Sequence, residues 1–377
     1  MTDWRRSRAW IDLNMDNLRK NMKFFHRIIP DGCLLMPAVK ANAYGHGVLP
    51  VVEVLREEGI SHFCVASVSE GIELRNHGVQ GEILILGYTA AEIFTELEHY
   101  DLTQTVVDAS YAEILARSGR KLKVHVGVDT GMHRLGEDWN HTGGIAGVWG
   151  YGNLSVTGVF SHLCASDGIS EKETAFTREQ IRRFDEIVRK LRQRGISGFQ
   201  THLQGSYGIL NYPECNYSCV RPGIALYGVL SKEEDLTRIP FMAKPVLSLK
   251  TRVELVKELN EGEQAGYGLA FTAGKQSRIA VLSIGYADGI PRELSGKGYV
   301  LIHGEIAPIV GRICMDQMFV DITDLKCAEY VKMHDEAVLI GNSGEQTITA
   351  EKFASFTETI SNEVLSRLGG RLERCCI

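Results

Sequence analysis

The 377-residue sequence lacks the features that mark several classes of protein. No apolar run approaches 18 residues and the first residues are polar, so we expect neither a transmembrane helix nor a signal peptide. Lysine and arginine number 41 against 47 aspartates and glutamates, and this net charge of −6 argues against a nucleic-acid or anionic-membrane partner. The composition therefore predicts a soluble, cytoplasmic chain.

Signals for disulfides, zinc and dinucleotides are also absent. The nine cysteines are scattered, none of them forms a CxxC pair, and several lie in apolar runs where a reduced thiol packs as a small apolar side chain. We therefore expect no disulfide framework, no metal site, and a reducing compartment. The sequence also contains no GxGxxG motif, which a Rossmann dinucleotide site would carry after its first strand.

Eight apolar runs of strand length recur between residues 30 and 230, each followed by a polar turn and a stretch with helical spacing. Continuous apolar runs are typical of parallel strands that are covered on both faces. Eight such units predict a closed (β/α)8 barrel of the TIM type, with an open doubly wound sheet as the alternative. The runs are Leu34–Val39, His62–Ala66, Ile83–Gly87, Gln104–Val107, Lys123–Val128, Val156–His162, Phe199–Leu203 and Cys219–Tyr227.

The pattern changes near Pro240. Alternating apolar residues, punctuated by glycine and asparagine, predict a mostly β second domain over residues 241–377, with some helix in Thr349–Leu368. The barrel domain then comprises residues 1–240. The early segment Arg8–Leu13 alternates like a strand, and residues 1–13 either belong with the barrel or pair with the second domain.

Polar residues stand where the predicted barrel strands end, which is where such barrels carry their functional side chains. Lys40 follows the first run, and a buried lysine has a lowered pKa and a neutral amine that can attack a carbonyl. Ser206 and the backbone near Gly223 suit a phosphate group. A lysine opposite a phosphate site suggests a Schiff base to pyridoxal phosphate (PLP), although a Schiff-base aldolase would use the same arrangement. The other candidates at strand ends are Arg134, His162, His202, Arg221 and Ile224.

Six motifs resemble those of the alanine racemase family, in the same order and over nearly the whole chain. The first of them, around Lys40, looks like the PLP signature of that family. The family's fold is a (β/α)8 barrel followed by a β domain, which agrees with the prediction from the apolar runs. The motifs are Ala38–Gly47, Val128–Gly136, Val220–Gly228, Tyr267–Gly268, Ile284–Gly289 and Gly311–Gln317.

The resemblance implies a role for each matching residue. Lys40 would hold PLP and act as one of two bases, and Tyr267 from a partner subunit would be the other, so that a proton leaves one face of the α-carbon and returns on the other. Arg221 would face the pyridine nitrogen and weaken the electron-withdrawing power of the ring. The remaining assignments are Tyr44, Ser206, Gly223 and Ile224 at the phosphate, His162 and His202 beside Arg221, Arg134 and Met315 at the substrate carboxylate, and Tyr286, Arg292, Arg312 and Asp167 along the entrance. A homodimer with shared active sites follows from the resemblance.

Two positions depart from the family pattern. Gly127 stands where the family often has a carbamylated lysine that positions the arginine of the strand-5 loop, so Arg134 must be held in another way, such as by an anion. Asn362 stands where most members have a tyrosine over the substrate side chain. Asparagine is smaller and both donates and accepts hydrogen bonds, so the pocket could admit a hydroxymethyl group. A neutral change in packing is the alternative explanation of Asn362.

The sequence thus predicts a PLP-dependent racemase of serine and alanine that supplies D-amino acids for peptidoglycan precursors. With Asn362 it is similar to the catalytic domain of the VanT-type serine/alanine racemases of vancomycin resistance, which carry a membrane domain ahead of the racemase. On that resemblance the chain would be the cytoplasmic domain of a membrane-anchored protein. The alternatives are an ordinary alanine racemase, a non-catalytic PLP carrier and a decarboxylase of related fold.

Overall fold

The computed structural model describes residues 4–377, and its first half is a barrel of parallel strands. The chain opens with strand β1 (Ala9–Leu13) and helix α1 (Met15–Ile28), and the barrel strands follow. One of them, the two-residue strand Glu137–Asp138, pairs with the end of the strand Leu122–Asp129. The strands are β2 (Leu34–Leu35), β3 (His62–Val65), β4 (Glu82–Ile85), β5 (Thr103–Val106), β6 (Leu122–Asp129), β7 (Glu137–Asp138), β8 (Leu154–Phe160), β9 (Gln200–His202) and β10 (Cys219–Val220).

The barrel is closed. Its strands follow the order β2-β10-β9-β8-β6-β5-β4-β3, and a parallel bridge from Ala38 to Cys64 joins the two ends of this sheet. The (β/α)8 prediction is confirmed, and the open doubly wound alternative is wrong because of this bridge. The helices around the barrel are α2 (Lys40–Tyr44), α3 (Val48–Glu57), α4 (Val68–Asn76), α5 (Phe94–His99), α6 (Ala109–Arg117), α7 (Thr142–Gly147), α8 (Glu171–Gln193) and α9 (Ser206–Asn211).

Helix α8 shows how local sequence determines these elements. Ser170 caps its first turn through a capping box with Glu173, which satisfies backbone N–H groups that a helix start leaves free. Phe184, Ile187 and Leu191 then recur on one face and are fully buried, while charged residues cover the other face. The helix therefore packs against the barrel by this apolar stripe.

The second half is mostly β, as predicted. Its sheet has the order β19-β18-β15-β16-β17-β14-β11-β1-β20, and a further pairing of β18 with β11 closes part of it on itself. The elements are β11 (Leu247–Leu259), β12 (Gln264–Ala265), β13 (Phe271–Thr272), β14 (Ser277–Leu282), β15 (Tyr299–Ile302), β16 (Glu305–Val310), β17 (Met318–Asp321), β18 (Glu336–Ser343), β19 (Gln346–Ile348), α10 (Ala350–Ser355), α11 (Ser361–Ser366) and β20 (Glu373–Cys376).

Strand β1 lies in this second sheet, antiparallel to β11 and parallel to β20. The two ends of the chain therefore meet in the same sheet, and the pairing of residues 9–13 follows the second of the two arrangements considered from the sequence. The domain boundary near residue 240 stays a prediction. The nine cysteines are unpaired, and no helix within residues 4–377 is long and apolar enough to cross a membrane.

Candidate active site

A cavity of about 410 Å³ opens where the barrel strands end, and most of the predicted site residues line it. Parallel strands place the residues after their carboxyl ends at one mouth, which is why positions so distant in sequence meet here. The predicted residues in the wall are Lys40, Tyr44, Arg134, His162, Asp167, Ser206, Arg221, Gly223, Ile224 and Asn362.

Lys40 opens an unusual turn. The four residues after it, Ala41 to Tyr44, have φ angles of 52–53° and form a left-handed turn. In this region an L-residue other than glycine or asparagine brings its Cβ close to the following carbonyl, at about 1–2 kcal/mol each. The backbone beside the lysine is therefore strained and must be held by its surroundings.

Contacts with Glu70 and with α11 help to hold this turn. The Glu70 carboxylate accepts hydrogen bonds from the N–H of Ala41 at 2.7 Å and from the N–H of Ala66 at 2.6 Å, so it joins the turn to the end of the next strand. Gly45 closes the turn at φ 80°, and a Cβ there would lie 1.9 Å from the backbone oxygen of Leu365 in α11. Helix α11 of the second half thus rests directly on the turn that carries Lys40.

The Lys40 amine lies in an environment that disfavours its charge. Burial lowers its pKa, and the nearby guanidinium groups of Arg134 and Arg221 lower it further. The two arginines lower the pKa because each carries a positive charge, which makes a further positive charge on Lys40 less favourable. A lysine with a lowered pKa can serve both as a nucleophile toward a carbonyl and as a general base.

Across the cavity, Ser206, Gly223 and Tyr44 form a narrow polar cradle. The Ser206 Oγ accepts hydrogen bonds from the N–H of Gly223 at 2.9 Å and of Ala225 at 3.2 Å, which leaves its own hydrogen free for an anion. A Cβ at Gly223 would lie only 2.8 Å from the Tyr44 hydroxyl. Only glycine leaves room between these groups, as a site that receives a phosphate requires.

Arg221 lies behind the centre of the cavity with its guanidinium fixed from several sides. Its Nη2 donates to the backbone oxygens of Ser161 at 2.7 Å and Leu203 at 3.1 Å, and its Nη1 contacts Nδ1 of His202. Its Cζ lies 5.2 Å from the centre of the Phe160 ring. Burial lowers the pKa of Arg221 to about 10, so the group remains a cation at neutral pH.

His162 lies beside this arginine, with Nδ1 3.4 Å from Nη2 of Arg221. Burial lowers its pKa to about 3, and the charges of Arg221 and Arg134 act in the same direction. The imidazole is therefore neutral at physiological pH and can accept or donate a hydrogen bond without carrying charge.

The loop that bears Arg134 is braced by Asp129. The Oδ1 of Asp129 accepts the N–H of Gly131 at 2.8 Å and of His133 at 3.0 Å, and its Oδ2 lies 3.0 Å from Nδ1 of His133. Gly127 also lines the cavity, and Thr105 on the neighbouring strand stands next to it. The loop itself therefore contributes to the position of Arg134 where no lysine is present.

Asn362 is joined to a residue that the sequence did not single out. The Ser231 hydroxyl donates to Oδ1 of Asn362 at 2.9 Å, and both side chains line the cavity. With its oxygen engaged, the amide presents its NH2 group as the free donor. The two residues are 131 positions apart in the sequence. The sequence contained one signal for Ser231, namely its position after the last barrel strand.

Six predicted residues are not part of the cavity wall of their own chain, namely the buried His202 and, on the second half, Tyr267, Tyr286, Arg292, Arg312 and Met315. Tyr267, Tyr286 and Met315 are 68%, 41% and 52% exposed, and none of them is part of the cavity wall. Backbone hydrogen bonds from Tyr286 to Cys314 and from Ala287 to Met315, both 3.0 Å long, hold two of the three loops together. Arg312 lies against Gly268, next to Tyr267. These side chains therefore form one exposed group on the second half.

Comparison with known proteins identifies the family. The model of the alanine racemase N-terminal domain matches residues 13–231, and that of the C-terminal domain matches residues 246–376. The chain belongs to the alanine racemase family. An amino-acid racemase of Enterococcus faecalis is 42% identical over 97% of this chain and 51% of its own length.

Two further relatives of the family are informative. A serine/alanine racemase of Enterococcus gallinarum is 37% identical over 97% of this chain and 51% of its own length. This chain thus spans about half the length of these two enterococcal proteins. The crystal structure of alanine racemase from Bacillus anthracis with bound L-Ala-P has a TM-score of 0.91 at 30% identity, and the match covers 99% of this chain and 95% of that one.

Alanine racemase family enzymes depend on PLP, and the residues present fit this cofactor. The cradle of Ser206, Gly223 and Tyr44 suits its phosphate, Lys40 its aldehyde, and Arg221 its ring nitrogen. When bound, PLP withdraws electrons from the α-carbon of an attached amino acid and makes its proton acidic. A cationic Arg221 facing the ring nitrogen would keep that nitrogen unprotonated and would limit this withdrawal, which would favour simple proton transfer over other reactions.

Proposed function

We propose that this chain is the catalytic unit of a PLP-dependent amino-acid racemase that interconverts the L- and D-forms of serine and of alanine. The family supports the reaction class, and the cavity supports it further by joining a lysine of lowered pKa to an anion cradle and a buried arginine. The D-amino acids would supply peptidoglycan precursors in vancomycin resistance, and the enterococcal relative named serine/alanine racemase supports the choice of these two substrates.

Racemisation needs a base on each face of the α-carbon. Lys40 is suited to one face, and Tyr267, which the family resemblance gives as the other base, is not part of the cavity wall of its own chain. The exposed Tyr267 of a second copy would complete the site, together with Met315 and Tyr286 of that copy. The enzyme would then act as a homodimer in which each site takes residues from both subunits.

The choice of serine rests on the contact between Ser231 and Asn362. Because Oδ1 of Asn362 accepts the Ser231 hydrogen at 2.9 Å, the amide NH2 is oriented as a donor. The β-hydroxyl of serine can accept this hydrogen bond, whereas the methyl group of alanine cannot. A site that hydrogen-bonds a substrate hydroxyl discriminates more strongly than one that only leaves space for it.

The experiment compares serine and alanine racemisation by the wild-type protein and Asn362→Tyr. We expect the variant to lose about tenfold in kcat/KM for serine, the equivalent of one hydrogen bond, with little change for alanine. A visible absorbance scan with Lys40→Ala serves as the control, since the band of bound PLP should disappear from this variant.

The same assays address the alternatives. Equal serine turnover in the wild type and Asn362→Tyr would contradict the role of Asn362 in specificity, whereas alanine turnover without serine turnover in the wild type would show an ordinary alanine racemase. A PLP band without turnover of either substrate would indicate a carrier. Such proteins generally lack the second domain, which this chain has over residues 246–376.

A further inference from the structure

A line of polar side chains crosses the inside of the barrel behind the active site. It runs from Arg221 to His202, from Nε2 of His202 to Nδ1 of His125 at 2.8 Å, and from Nε2 of His125 to Oε1 of Glu82 at 2.7 Å. His125 and His202 are fully buried. The interior of such a barrel is ordinarily filled by branched apolar side chains, so a buried polar line is exceptional.

The direction of every hydrogen in this line is determined by its two ends. A guanidinium has no acceptor, so Nδ1 of His202 must accept from Arg221 and must carry no hydrogen. The hydrogen of His202 is then on Nε2 and is donated to Nδ1 of His125. His125 in turn carries its hydrogen on Nε2, which lies 2.7 Å from Oε1 of Glu82 and faces the negative charge of this carboxylate. The guanidinium at one end and the carboxylate at the other thus favour the same tautomers of the two imidazoles.

The barrel is shaped to accommodate this line. A Cβ at Gly158, on the neighbouring strand β8, would lie 2.5–2.6 Å from the His125 ring, so only glycine leaves space for it. The pairing of β6 with β8 also shifts register between Val124 and His125. His202 stacks on Phe160 at 4.8 Å with an interplanar angle of 4°. These features fix the two rings independently of the hydrogen bonds between them.

We propose that Glu82 is a positioning residue for Arg221, acting through His125 and His202 across the barrel. The negative end of the line keeps His202 in the tautomer that accepts from the guanidinium, and thereby fixes the orientation of Arg221 at the cavity. The part of this inference that concerns the cofactor ring rests on the proposed function. The hydrogen-bonded line and its tautomers do not.

Imidazole nitrogen spectra of the purified protein, labelled with ¹⁵N-histidine, test the line directly. Signals are assigned with single histidine variants. We expect His125 and His202 of the wild type to carry their hydrogens on Nε2 with Nδ1 bare. A hydrogen on Nδ1 of His202 would overturn the proposal, and this measurement needs no variant of Glu82.

Two variants of Glu82 test its effect on Arg221. Glu82→Leu removes the negative end of the line, so the signals of His125 and His202 should move, and PLP should dissociate about tenfold more readily. Glu82→Gln keeps an acceptor oxygen in place and should restore both readouts. Unchanged His202 signals and PLP affinity in Glu82→Leu would show that the line only fills space.

The outcomes separate this inference from the proposed function. Normal tautomers and a Glu82→Leu effect on PLP affinity, without racemisation of serine or alanine, would support the positioning line and contradict the racemase. Racemisation with His202 protonated on Nδ1 would do the reverse.

Discussion

Three histidines of this chain are neutral because of where they lie. Burial lowers the pKa of His46 to about 4 and that of His162 to about 3, and it also lowers the pKa of His202. His46 is away from the cavity wall, hydrogen-bonded through Nδ1 to the backbone oxygens of Ala43 and Tyr44 at 3.0 Å. In the unfolded chain each would take up a proton below pH 6.5.

This difference predicts a loss of stability in mild acid. The native imidazoles stay neutral while their unfolded counterparts become charged, so their stabilisation is complete above pH 6.5 and falls as the pH is lowered toward 4. Each histidine contributes a slope of about 1.4 kcal/mol per pH unit. His46→Gln should remove one such contribution from the free energy of unfolding, measured by urea denaturation at several pH values. An unchanged slope in this variant would contradict the prediction.

Single residues also show what could be predicted from the sequence. Lys40, Arg221 and Ser206 were predictable because a barrel brings the ends of all its strands to one mouth. Glu82, His125 and Ser231 were missed because their partners lie on other strands or loops, and no local pattern records such contacts. The sequence did contain a signal for His125. It lies between Val124 and Val126 in a barrel strand, and alternate side chains of a strand point to opposite faces, so this histidine points away from the surrounding helices.

Among the elements, the left-handed turn after Lys40 was the least predictable. Its residues Ala41, Asn42, Ala43 and Tyr44 include only one, Asn42, that favours this conformation. The turn exists because Glu70 and α11 hold it, and both lie far away in sequence. The positions of the strands, in contrast, were predictable, because a strand that is buried on both faces appears in the sequence as a continuous apolar run.

Gly45 offers a test of the contact between this turn and α11. Gly45→Ala introduces a Cβ 1.9 Å from the Leu365 oxygen and a φ of 80° that alanine rarely adopts. We expect the free energy of unfolding to fall by more than about 3 kcal/mol and PLP to be retained less well, because the backbone at Leu365 or at residue 45 must move to accommodate the new Cβ. Urea denaturation and PLP absorbance measure the two effects.

Gly59→Ala is the matched control for Gly45→Ala. Gly59 has a φ of 90°, but a Cβ there would meet no atom within 4 Å. The free energy of unfolding of Gly59→Ala should fall only by the cost of the backbone conformation, about 1–2 kcal/mol, and the variant should retain PLP. Similar losses in the two variants would show that the contact with Leu365 does not matter.

At the level of the whole molecule, the loops that carry Tyr286 and Met315 on the second half are held by contacts within their own chain. Asp288 is fully buried, accepts hydrogen bonds from both Arg8 nitrogens at 2.8 and 2.7 Å, and accepts the N–H of Gly285 at 2.9 Å. Arg8 also donates to the backbone oxygen of Asp316 at 3.2 Å, next to Met315. The start of the chain thus holds the loops of Tyr286 and Met315, and the strand that follows Arg8 belongs to the second sheet.

Mixing two inactive variants tests whether sites are shared between subunits. Lys40→Ala and Tyr267→Phe should each abolish racemisation. If Lys40 and Tyr267 of a site come from different chains, co-expression gives heterodimers with one complete site and one that lacks both groups, and about a quarter of the wild-type activity should return. Co-expression of Lys40→Ala with the double variant should restore none, because no subunit then supplies Lys40. A mixture that stays inactive, with heterodimers confirmed by differently tagged subunits, would place both bases in one chain.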